Sequence, residues 1–277
     1  MESKLNKLKL LLRDIQETIV QSQAWKSIFR HGYADTPRNR ALAIASNVWL
    51  HLHPAKVRRH AIKLRYTWCA GGLTFLFFLV TVVTGVILMF YYRPVAEYAF
   101  VDIQYLEFDV PFGMINRNMH RWAAHSMVMM VMIHMFRVFL TGSYKPPREF
   151  NWVVGVLLIT LTFLLSFTGY LLPWDQLAIW AVTVGSNMAR ATPLLGNEGP
   201  LAVQVGDLFD AAAGVKDTFI TPRYDARSFL VAGTVVGSPT LLRFYVLHCI
   251  FIPVAASILM ILHFWRVRKD GGISGPL

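Results

Sequence analysis

Four histidines stand out in the sequence because they form two pairs of nearly equal spacing within long apolar stretches. His120 and His134 are spaced i, i+14, and His248 and His263 are spaced i, i+15. Four turns of an α-helix take about 14.4 residues and rise about 21 Å, so each pair would lie on nearly one helix face at two depths. Ionisable side chains inside an apolar span are costly and usually mark function. The spacing therefore predicts two levels at which imidazole groups could ligate a metal.

Two pairs of glycines share this spacing. Gly71 and Gly85 are spaced i, i+14, and so are Gly155 and Gly169. Glycine lets another group approach a helix closely. Small residues also promote helix packing in membranes, but packing alone does not predict glycine pairs in step with histidine pairs. We therefore expect the glycines to clear space for a flat macrocycle beside the histidines.

Four long apolar stretches must carry these residues. They span about 67–91, 120–140, 152–172 and 242–265, and we name them segments A, B, C and D. A membrane helix needs roughly 20 predominantly apolar residues, and each segment satisfies this requirement. The chain of 277 residues is 55% apolar, above the roughly 45–50% of soluble domains, and its mean hydropathy is +0.44. The sequence therefore predicts an all-α membrane protein in which residues 67–277 form a four-helix bundle.

The net charge of +11 is distributed unevenly along the chain. Thirteen of the 27 basic residues precede residue 66, whereas the A–B loop carries the acidic residues Glu97, Asp102, Glu107 and Asp109. The C–D loop, 173–241, has four basic and six acidic residues. Because basic segments stay on the cytoplasmic side, we expect an integral, multi-pass protein of the bacterial cytoplasmic membrane with both termini cytoplasmic. Topology and contact with anionic lipid explain the charge, and no nucleic acid is expected as a partner.

This topology places the histidines and glycines at two matched depths, because segments A and C run outward while B and D run inward. The outer level contains His120, His248, Gly85 and Gly169, and the inner level contains His134, His263, Gly71 and Gly155. Two imidazoles per level are what a six-coordinate haem iron requires. The pattern therefore predicts two haems with these four histidines as metal ligands. His125 points away from both neighbours on segment B and is predicted to be structural.

Other interpretations remain open from the residues alone. A non-redox transporter with a histidine proton relay would also place imidazoles inside a membrane. A di-haem membrane anchor of a peripheral dehydrogenase or hydrogenase would share the same ligands. A relay does not require equal spacing on two helices, whereas paired axial ligands do, so the spacing favours haem binding.

Haem propionates are anionic and need cations near the membrane surface. Three arginines lie within five residues of the outer histidines, namely Arg117, Arg121 and Arg243. Three more basic residues follow the inner His263, namely Arg266, Arg268 and Lys269. We expect the outer three to bind propionates, although each could also anchor its helix at the membrane interface.

Residues 1–66 form a separate cytoplasmic or interfacial extension in this interpretation. Leucine and isoleucine recur there at helical spacing, at Leu5, Leu8, Leu12, Ile15 and Ile19. The pattern predicts an N-terminal helix that lies in the membrane interface. A packing face for a partner subunit is the alternative.

Several longer stretches resemble one protein family. They include "WCAGG" (68–72), "VTGVILMFYYRP" (83–94), "KPPREFNWVVGV" (145–156), "TGYLLPWDQ" (168–176) and "GGISGPL" (271–277). With "HRW" (120–122), "FRVFLTG" (136–142) and "LLRFYVLH" (241–248), they are similar to the cytochrome b6 type of cytochrome b, the split N-terminal half found in cytochrome bc and b6f-like complexes. The i, i+15 histidine spacing on segment D is also the b6 pattern, since longer cytochromes b usually show i, i+14.

The resemblance implies a di-haem four-helix bundle with two b haems on the four paired histidines. It also implies a third, c-type haem attached by a single thioether at Cys69, the cysteine of "WCAGG". The implied activity is electron transfer in a Q-cycle, within a quinol:cytochrome c or plastocyanin-type oxidoreductase of an electron-transport or respiratory chain. Quinol would be oxidised near "PWDQLAIWAV" (173–182), and quinone would be reduced near the third haem. Trp174 and Arg268 are the quinone-site candidates, and no catalytic residue is assigned.

The resemblance also implies partners in a dimeric membrane complex. These are a Rieske iron–sulfur protein, a c-type cytochrome and quinone or quinol. The Pro-Glu-Trp-Tyr motif of the family's quinol-oxidising site does not occur in these 277 residues. We therefore expect a three-helix partner, similar to subunit IV, to carry it. The N-terminal extension and added sequence in the C–D loop around 190–240 depart from the family pattern.

Overall fold

The computed structural model of the chain describes residues 2–23, 25, 35–48, 59, 63–193, 196, 198–200, 225–232 and 235–273. The regular elements within these ranges are all helical, and the described residues include no strand. The chain divides into two compact units, Met1–Ala55 and Lys56–Leu277. The predicted boundary after residue 66 stays a prediction, and the added C–D loop sequence at 201–224 lies outside the described residues.

The described residues of the first unit include two helices, α1 (Glu2–Gln21) and α2 (Pro37–Ser46). The side chains of Leu12, Ile15 and Ile19 lie on one face of α1, and each is about half exposed to solvent within this unit. Helix α2 begins at a proline, and the Thr36 hydroxyl accepts a hydrogen bond from the Asn39 amide at its N-terminus. A hydroxyl at this position satisfies one of the unpaired amide groups of a first helical turn.

The second unit contains the four predicted membrane helices and the short helices that join them. The membrane helices are Ala70–Met89, Gly113–Leu140, Glu149–Leu171 and Ser238–Lys269, each long and apolar enough to cross a membrane. They confirm segments A to D and the predicted all-α membrane fold. In chain order the elements are α3 (Leu64–Thr67), α4 (Ala70–Met89), α5 (Ala99–Phe108), α6 (Gly113–Leu140), α7 (Glu149–Leu171), α8 (Gln176–Met188), a 3-10 turn (Ala189–Ala191), α9 (Ala226–Val231), α10 (Ser238–Val246), a five-residue turn (Leu247–Phe251) and α11 (Ile252–Lys269).

Helix α6 begins seven residues before segment B, at Gly113 instead of 120. Its first two turns contain the polar residues Asn116, Arg117 and Asn118. A search for uninterrupted apolar residues therefore places the start of the segment after them. With 28 residues the helix is about 42 Å long, so these polar turns extend beyond a hydrocarbon core of about 30 Å.

The membrane helices pack as two antiparallel hairpins, α4 against α6 and α7 against the continuous α10–α11 helix. An ion pair fixes the connection after α4. The Arg93 guanidinium and its own backbone amide donate three hydrogen bonds to the Asp102 carboxylate, whose side chain is only 7% exposed. These bonds hold the pKa of Asp102 below its usual value. The Tyr92 hydroxyl also donates to the Leu172 carbonyl at 2.6 Å, which ties the first hairpin to the end of α7.

Two apolar clusters fill this unit. One lies at the loop end of the bundle and contains Trp174, Leu171, Ala178, Val182, Leu241, Phe244 and Ala99. The other contains Phe78, Met127 and Ala256, with Leu158, Leu161 and Met260 packed against them. Each residue of the second cluster lies near the middle of its helix, between the two histidine levels. Side chains of the bundle core therefore separate these levels.

Candidate metal centre

His120 on α6 and His248 in the five-residue turn between α10 and α11 face each other across the bundle. Their ring centroids are 6.3 Å apart and the rings are inclined at 69°. Each ring nitrogen Nδ1 lies beside a buried threonine hydroxyl, Thr84 at 2.9 Å from His120 and Thr168 at 3.1 Å from His248. We call these two histidines the 120/248 pair.

The two threonines fix the direction in which the imidazoles present their nitrogens. Each hydroxyl donates to a carbonyl of its own helix, Thr84 to Val80 at 2.6 Å and Thr168 to Leu164 at 2.8 Å. The oxygen is then free to accept a hydrogen bond from the Nδ1–H of the facing histidine. An imidazole held in this tautomer presents an unprotonated Nε2, which is the form that binds a metal.

His134 on α6 and His263 on α11 form the second pair, which we call the 134/263 pair. Their ring centroids are 6.4 Å apart and the rings are inclined at 79°. The Nδ1 of His263 is buried and has no hydrogen-bond partner among the described residues. A hydroxyl of the kind found at the 120/248 pair precedes neither Gly71 nor Gly155, where Ala70 and Val154 stand instead. The two levels therefore share ring geometry but differ in hydrogen bonding.

Each of the four glycines lies against one of these imidazole rings. A β-carbon built on Gly169 would lie 2.5 Å from His248 Cε1, one on Gly71 would lie 3.1 Å from His134 Cε1, and one on Gly85 would lie 3.2 Å from His120 Cε1. A β-carbon built on Gly155 would lie 3.8 Å from Met135 Cε and 3.9 Å from His263 Cε1, which is ordinary van der Waals contact. The atoms nearest to three of the glycines are thus those of the imidazole itself, so the missing side chain lets the Cε1 edge of each ring lie close to the neighbouring helix.

A cavity extends between the helices at the 120/248 pair. His120, His248 and Gly85 line it, and most other lining side chains are apolar, among them Phe78, Val86 and Met127. Within the described parts of the chain there is no group of three or more histidine, cysteine or acidic side chains that could hold a metal. Among the described residues, each pair therefore offers a metal two imidazole ligands.

The geometry of both pairs fits a six-coordinate iron in a porphyrin. A metal–imidazole nitrogen bond is about 2.0–2.1 Å long and the ring nitrogen lies roughly 1.1 Å from the ring centre, so two axial imidazoles hold their centres about 6.3 Å apart. The observed separations are 6.3 and 6.4 Å. The porphyrin would supply the four ligands that the protein lacks, and the apolar cavity would receive its edge.

Cys69 lies at the start of α4 with an exposed side chain. It and Trp68 both have left-handed backbone conformations, with φ of 50° and 51°, which non-glycine residues rarely adopt. A β-carbon added at Gly72 would meet no atom within 4 Å. Gly71, two residues from the cysteine, contacts His134. The thiol is therefore accessible at the same end of the bundle as the 134/263 pair.

The predicted propionate-binding arginines lie in different environments. Arg117 forms an ion pair with Glu107, Arg121 is exposed, and the Arg243 guanidinium lies 5.4 Å from the centre of the Phe229 ring. Arg266 pairs with Asp270 at 2.9 Å. Among the described residues no carboxylate forms an ion pair with Arg121 or Arg243. Arg117, in contrast, would have to bind a propionate while it is paired with Glu107.

The remaining predicted residues occupy distinct positions. Trp174 is 8% exposed and belongs to the loop-end apolar cluster, with a left-handed φ of 53°. Arg268 lies in the last turn of α11, five residues after His263. Lys269 lies 4.9 Å from the centre of the Trp265 ring. His125 has an exposed side chain and lies 5.9 Å from the Trp122 ring centre, away from both histidine pairs.

Three residues of the site were not predicted. Thr84 and Thr168 each directly precede a glycine, and the repeated Thr-Gly dipeptide in segments A and C was the available signal. Arg137 lies three residues after His134, and its buried Nε and Nη2 atoms have no hydrogen-bond partner among the described residues. Its guanidinium lies 4.4 Å from the centre of the Tyr66 ring. A charged residue inside an apolar segment was the signal here.

Comparison with known sequences gives one consistent result. A family model described as cytochrome b/b6/petB matches residues 56–207. Cytochrome b6 of Oltmannsiellopsis viridis is 43% identical over 210 residues, which cover 76% of this chain and 85% of that protein. Cytochrome b6 of Gracilaria tenuistipitata var. liui is 40% identical over 210 residues with the same coverage.

Comparison with solved structures agrees with the sequence match. A chain described as hyperthermophilic respiratory Complex III superposes with a TM-score of 0.61 at 26% identity. The match covers 86% of this chain and 54% of that chain, so this chain spans about half the length of its structural relative.

The glycine contacts generate a graded prediction. Gly169→Ala should prevent metal–porphyrin binding at the 120/248 pair, because the added carbon would lie 2.5 Å from the His248 ring. Gly155→Ala is the matched control on the same helix, where the added carbon makes ordinary contacts. Haem content of the purified variants, measured from pyridine haemochrome spectra, distinguishes them. Equal haem content in both would mean that the glycines serve only helix packing.

The threonine hydroxyls generate a second prediction. Thr84→Val and Thr168→Val should each raise the reduction potential at the 120/248 pair, because an imidazole that no longer donates from Nδ1 is a weaker electron donor to ferric iron. Thr162→Val is the control, since its hydroxyl donates only to the Leu158 carbonyl of its own helix. Redox titration followed by visible spectroscopy measures the shift. An unchanged potential in both variants, or an equal shift in the control, would contradict this role.

Proposed function

This chain belongs to the cytochrome b/b6 family, and from that premise we propose that it passes electrons between two bis-histidine b haems in a Q-cycle. It is a cytochrome b, an integral membrane electron-transfer subunit that binds haem b within a multi-subunit oxidoreductase complex. The proposed complex is a quinol:cytochrome c or plastocyanin-type oxidoreductase.

One observation carries the proposal of two b haems. Two pairs of imidazoles face each other at two depths of one bundle, with ring separations of 6.3 and 6.4 Å. Histidines that serve only as hydrogen-bonding groups would not be expected to show nearly the same ring separation in both pairs. The separation is the one that a single metal ion between two imidazole nitrogens requires.

The chain's own residues would hold, orient and insulate the cofactors. His120 and His248 would ligate one iron, and His134 and His263 the other. A bound haem would supply one-electron chemistry there, and two histidine ligands would leave no position for oxygen. Thr84 and Thr168 would fix the ligand tautomer at the first level. The apolar side chains of the cavity would exclude water from the macrocycle and thereby tune its potential.

Cationic side chains near each end would neutralise the propionates. We assign Arg121 and Arg243, with Arg117, to the 120/248 level, and Arg266, Arg268 and Lys269 to the other end. The unpaired Nε and Nη2 of Arg137 support adding this residue to the 134/263 level, because buried guanidinium groups without partners are costly.

The mid-bundle cluster weighs against a proton relay. A relay between the two histidine levels would need a chain of hydroxyl, carboxyl or imidazole groups, or ordered water. Phe78, Met127 and Ala256 instead fill the space halfway between the levels. An apolar barrier of this kind blocks protons but leaves room for electron transfer between two cofactors.

A third haem is proposed at Cys69, joined by a single thioether bond. The exposed thiol, the strained backbone at Trp68 and Cys69 and the open space beside Gly72 support this site. Backbone strain often occurs at functional sites.

Quinone reduction is proposed at the end of the bundle that contains Cys69, and it would involve Arg268. Quinol oxidation is proposed at the opposite end and would involve Trp174 and the segment that follows it.

The proposed partners complete a dimeric complex in the membrane. They are a Rieske iron–sulfur protein, a c-type cytochrome and a three-helix subunit that supplies the Pro-Glu-Trp-Tyr motif absent from this sequence. The charge asymmetry supports cytoplasmic termini, and the bacterial cytoplasmic membrane is the proposed location. The many exposed apolar side chains on the four membrane helices leave surface for lipid and for these subunits.

The ligand assignment predicts that the two haems are lost independently. His120→Ala or His248→Ala should remove one haem, and His134→Ala or His263→Ala the other, since about 21 Å of helix separates the levels. His125→Ala is the control on the same helix and should retain both. Redox difference spectra of purified variants give the answer. Loss of a haem in the His125 variant, with the His120 variant unaffected, would refute the assignment.

The Cys69 assignment predicts a covalent haem on the denatured chain. A thioether bond survives denaturation, whereas haems held only by histidine coordination dissociate. Haem staining of a denaturing gel should therefore detect the wild-type chain and not Cys69→Ser, and Cys249→Ser is the matched cysteine control. An unstained wild-type band would exclude covalent attachment. Stain that persists in Cys69→Ser would place the bond at another residue.

A further inference from the structure

The two helices that carry the histidines do not have the same ligand spacing. His120 and His134 are spaced i, i+14, but His248 and His263 are spaced i, i+15. Each residue of an α-helix turns the chain by about 100° and advances it by about 1.5 Å. With uninterrupted α-helices, the angle between the two rings of the second helix would therefore differ by about 100° from the angle between the two rings of α6. The nearly equal ring separations show that the extra residue is compensated within the helix.

The compensation is visible where α10 meets α11. Residues Leu247–Phe251 form a single π-turn, in which the Ile252 amide donates to the Leu247 carbonyl five residues earlier. A π-turn inserts one extra residue into an α-helix while the flanking turns keep their direction. His248 and Cys249 lie inside it. We propose that this π-turn positions the ligand His248, and that Cys249 is the inserted residue that brings the longer histidine spacing into line with the shorter one.

Pro253 explains why the insertion lies here and not elsewhere in the helix. Proline has no amide hydrogen, and in an α-helix its ring clashes with the carbonyl four residues earlier, which is that of Cys249. A wider turn directly before the proline removes this clash. The sequence order of ligand, inserted residue and proline thus favours a π-turn at 247–251.

The contacts of His248 depend on this local geometry. Its ring lies close against Gly169 and its Nδ1 lies 3.1 Å from the Thr168 hydroxyl, so a rotation of the helix at this point would break both contacts. Beyond the turn, Ile252 and Ala256 are buried in the bundle. The π-turn therefore orients the ligand without changing the face that α11 presents to the core.

Single-residue deletions test this inference, which rests on the proposed function because it takes His248 and His263 as haem ligands. Deleting Cys249 and deleting Ile258 both shorten the spacing to that of His120 and His134. All variants carry Pro253→Ala, because deletion of Cys249 would otherwise place the proline ring against the His248 carbonyl. In that background, deletion of Cys249 should convert the π-turn to α-helix and leave the flanking residues on the same helix faces. Deletion of Ile258, a 61% exposed residue, must either rotate His263 or shift Ile252 and Ala256 out of register. Cys249→Ala controls for loss of the thiol.

The variants are expressed within the complete complex, and haem b per chain is measured in membranes and after purification. We expect the Cys249 deletion and Cys249→Ala to keep the wild-type haem content and the wild-type low-spin EPR signals, which report the angle between axial imidazole planes. We expect the Ile258 deletion to lose the signal of at least one haem. An immunoblot of the membrane fraction normalises each value to the amount of chain inserted.

Several outcomes would overturn the proposal. One is equal haem loss in the two deletions, and another is haem retention in both. Failure of the Cys249 deletion to accumulate in membranes would also overturn it, because the proposal requires that variant to fold. A wild-type chain without bis-imidazole haem would instead refute the proposed function itself, so the two failures are distinguishable.

Discussion

The bundle depends on holding two steeply inclined imidazole rings at a fixed separation, once at each of two depths. The ring centroids are 6.3 and 6.4 Å apart, which matches the distance that one metal ion imposes on two axial ligands. Rings on separate helices keep such a separation only if the helices themselves are fixed in depth, rotation and distance. Helix α6 and the continuous α10–α11 helix alone cannot provide this, because the rings also need contacts on the side away from their partner.

The other two membrane helices give that support. Glycines on α4 and α7 allow the histidine rings to lie against the helix backbone, and the closest approach is at Gly169. At the 120/248 pair the residue before each glycine adds a hydroxyl that holds Nδ1. In each Thr-Gly dipeptide, the glycine leaves space for the facing histidine ring and the threonine hydroxyl orients that ring. The same ring constraint explains the π-turn at 247–251, which corrects the rotation that an extra residue would cause.

The division of the bundle into two levels follows from its apolar centre. Phe78, Met127 and Ala256 pack halfway between the pairs, and no ion pair of the described residues lies among them. The charged groups gather instead at the ends, with Arg93 and Asp102 at one end and Arg266 and Asp270 at the other. This distribution is favourable in a membrane, because charge is least costly at the interface. It also keeps the two histidine pairs separate within one chain.

The sequence by itself determined the four membrane helices and the matched depths of the paired histidines and glycines, because hydropathy and a repeat of four helical turns can be read from the chain without knowing which residues meet in space. It did not determine the polar start of α6, since an apolar run does not show where helical hydrogen bonding begins. The roles of Thr84, Thr168 and Arg137 were also missed, because a hydrogen bond between helices depends on which faces meet. The longer histidine spacing on the fourth membrane helix was visible, but only the tertiary structure decided how it is accommodated: the rings of two other helices fix where His248 must point, and the backbone yields beside Pro253.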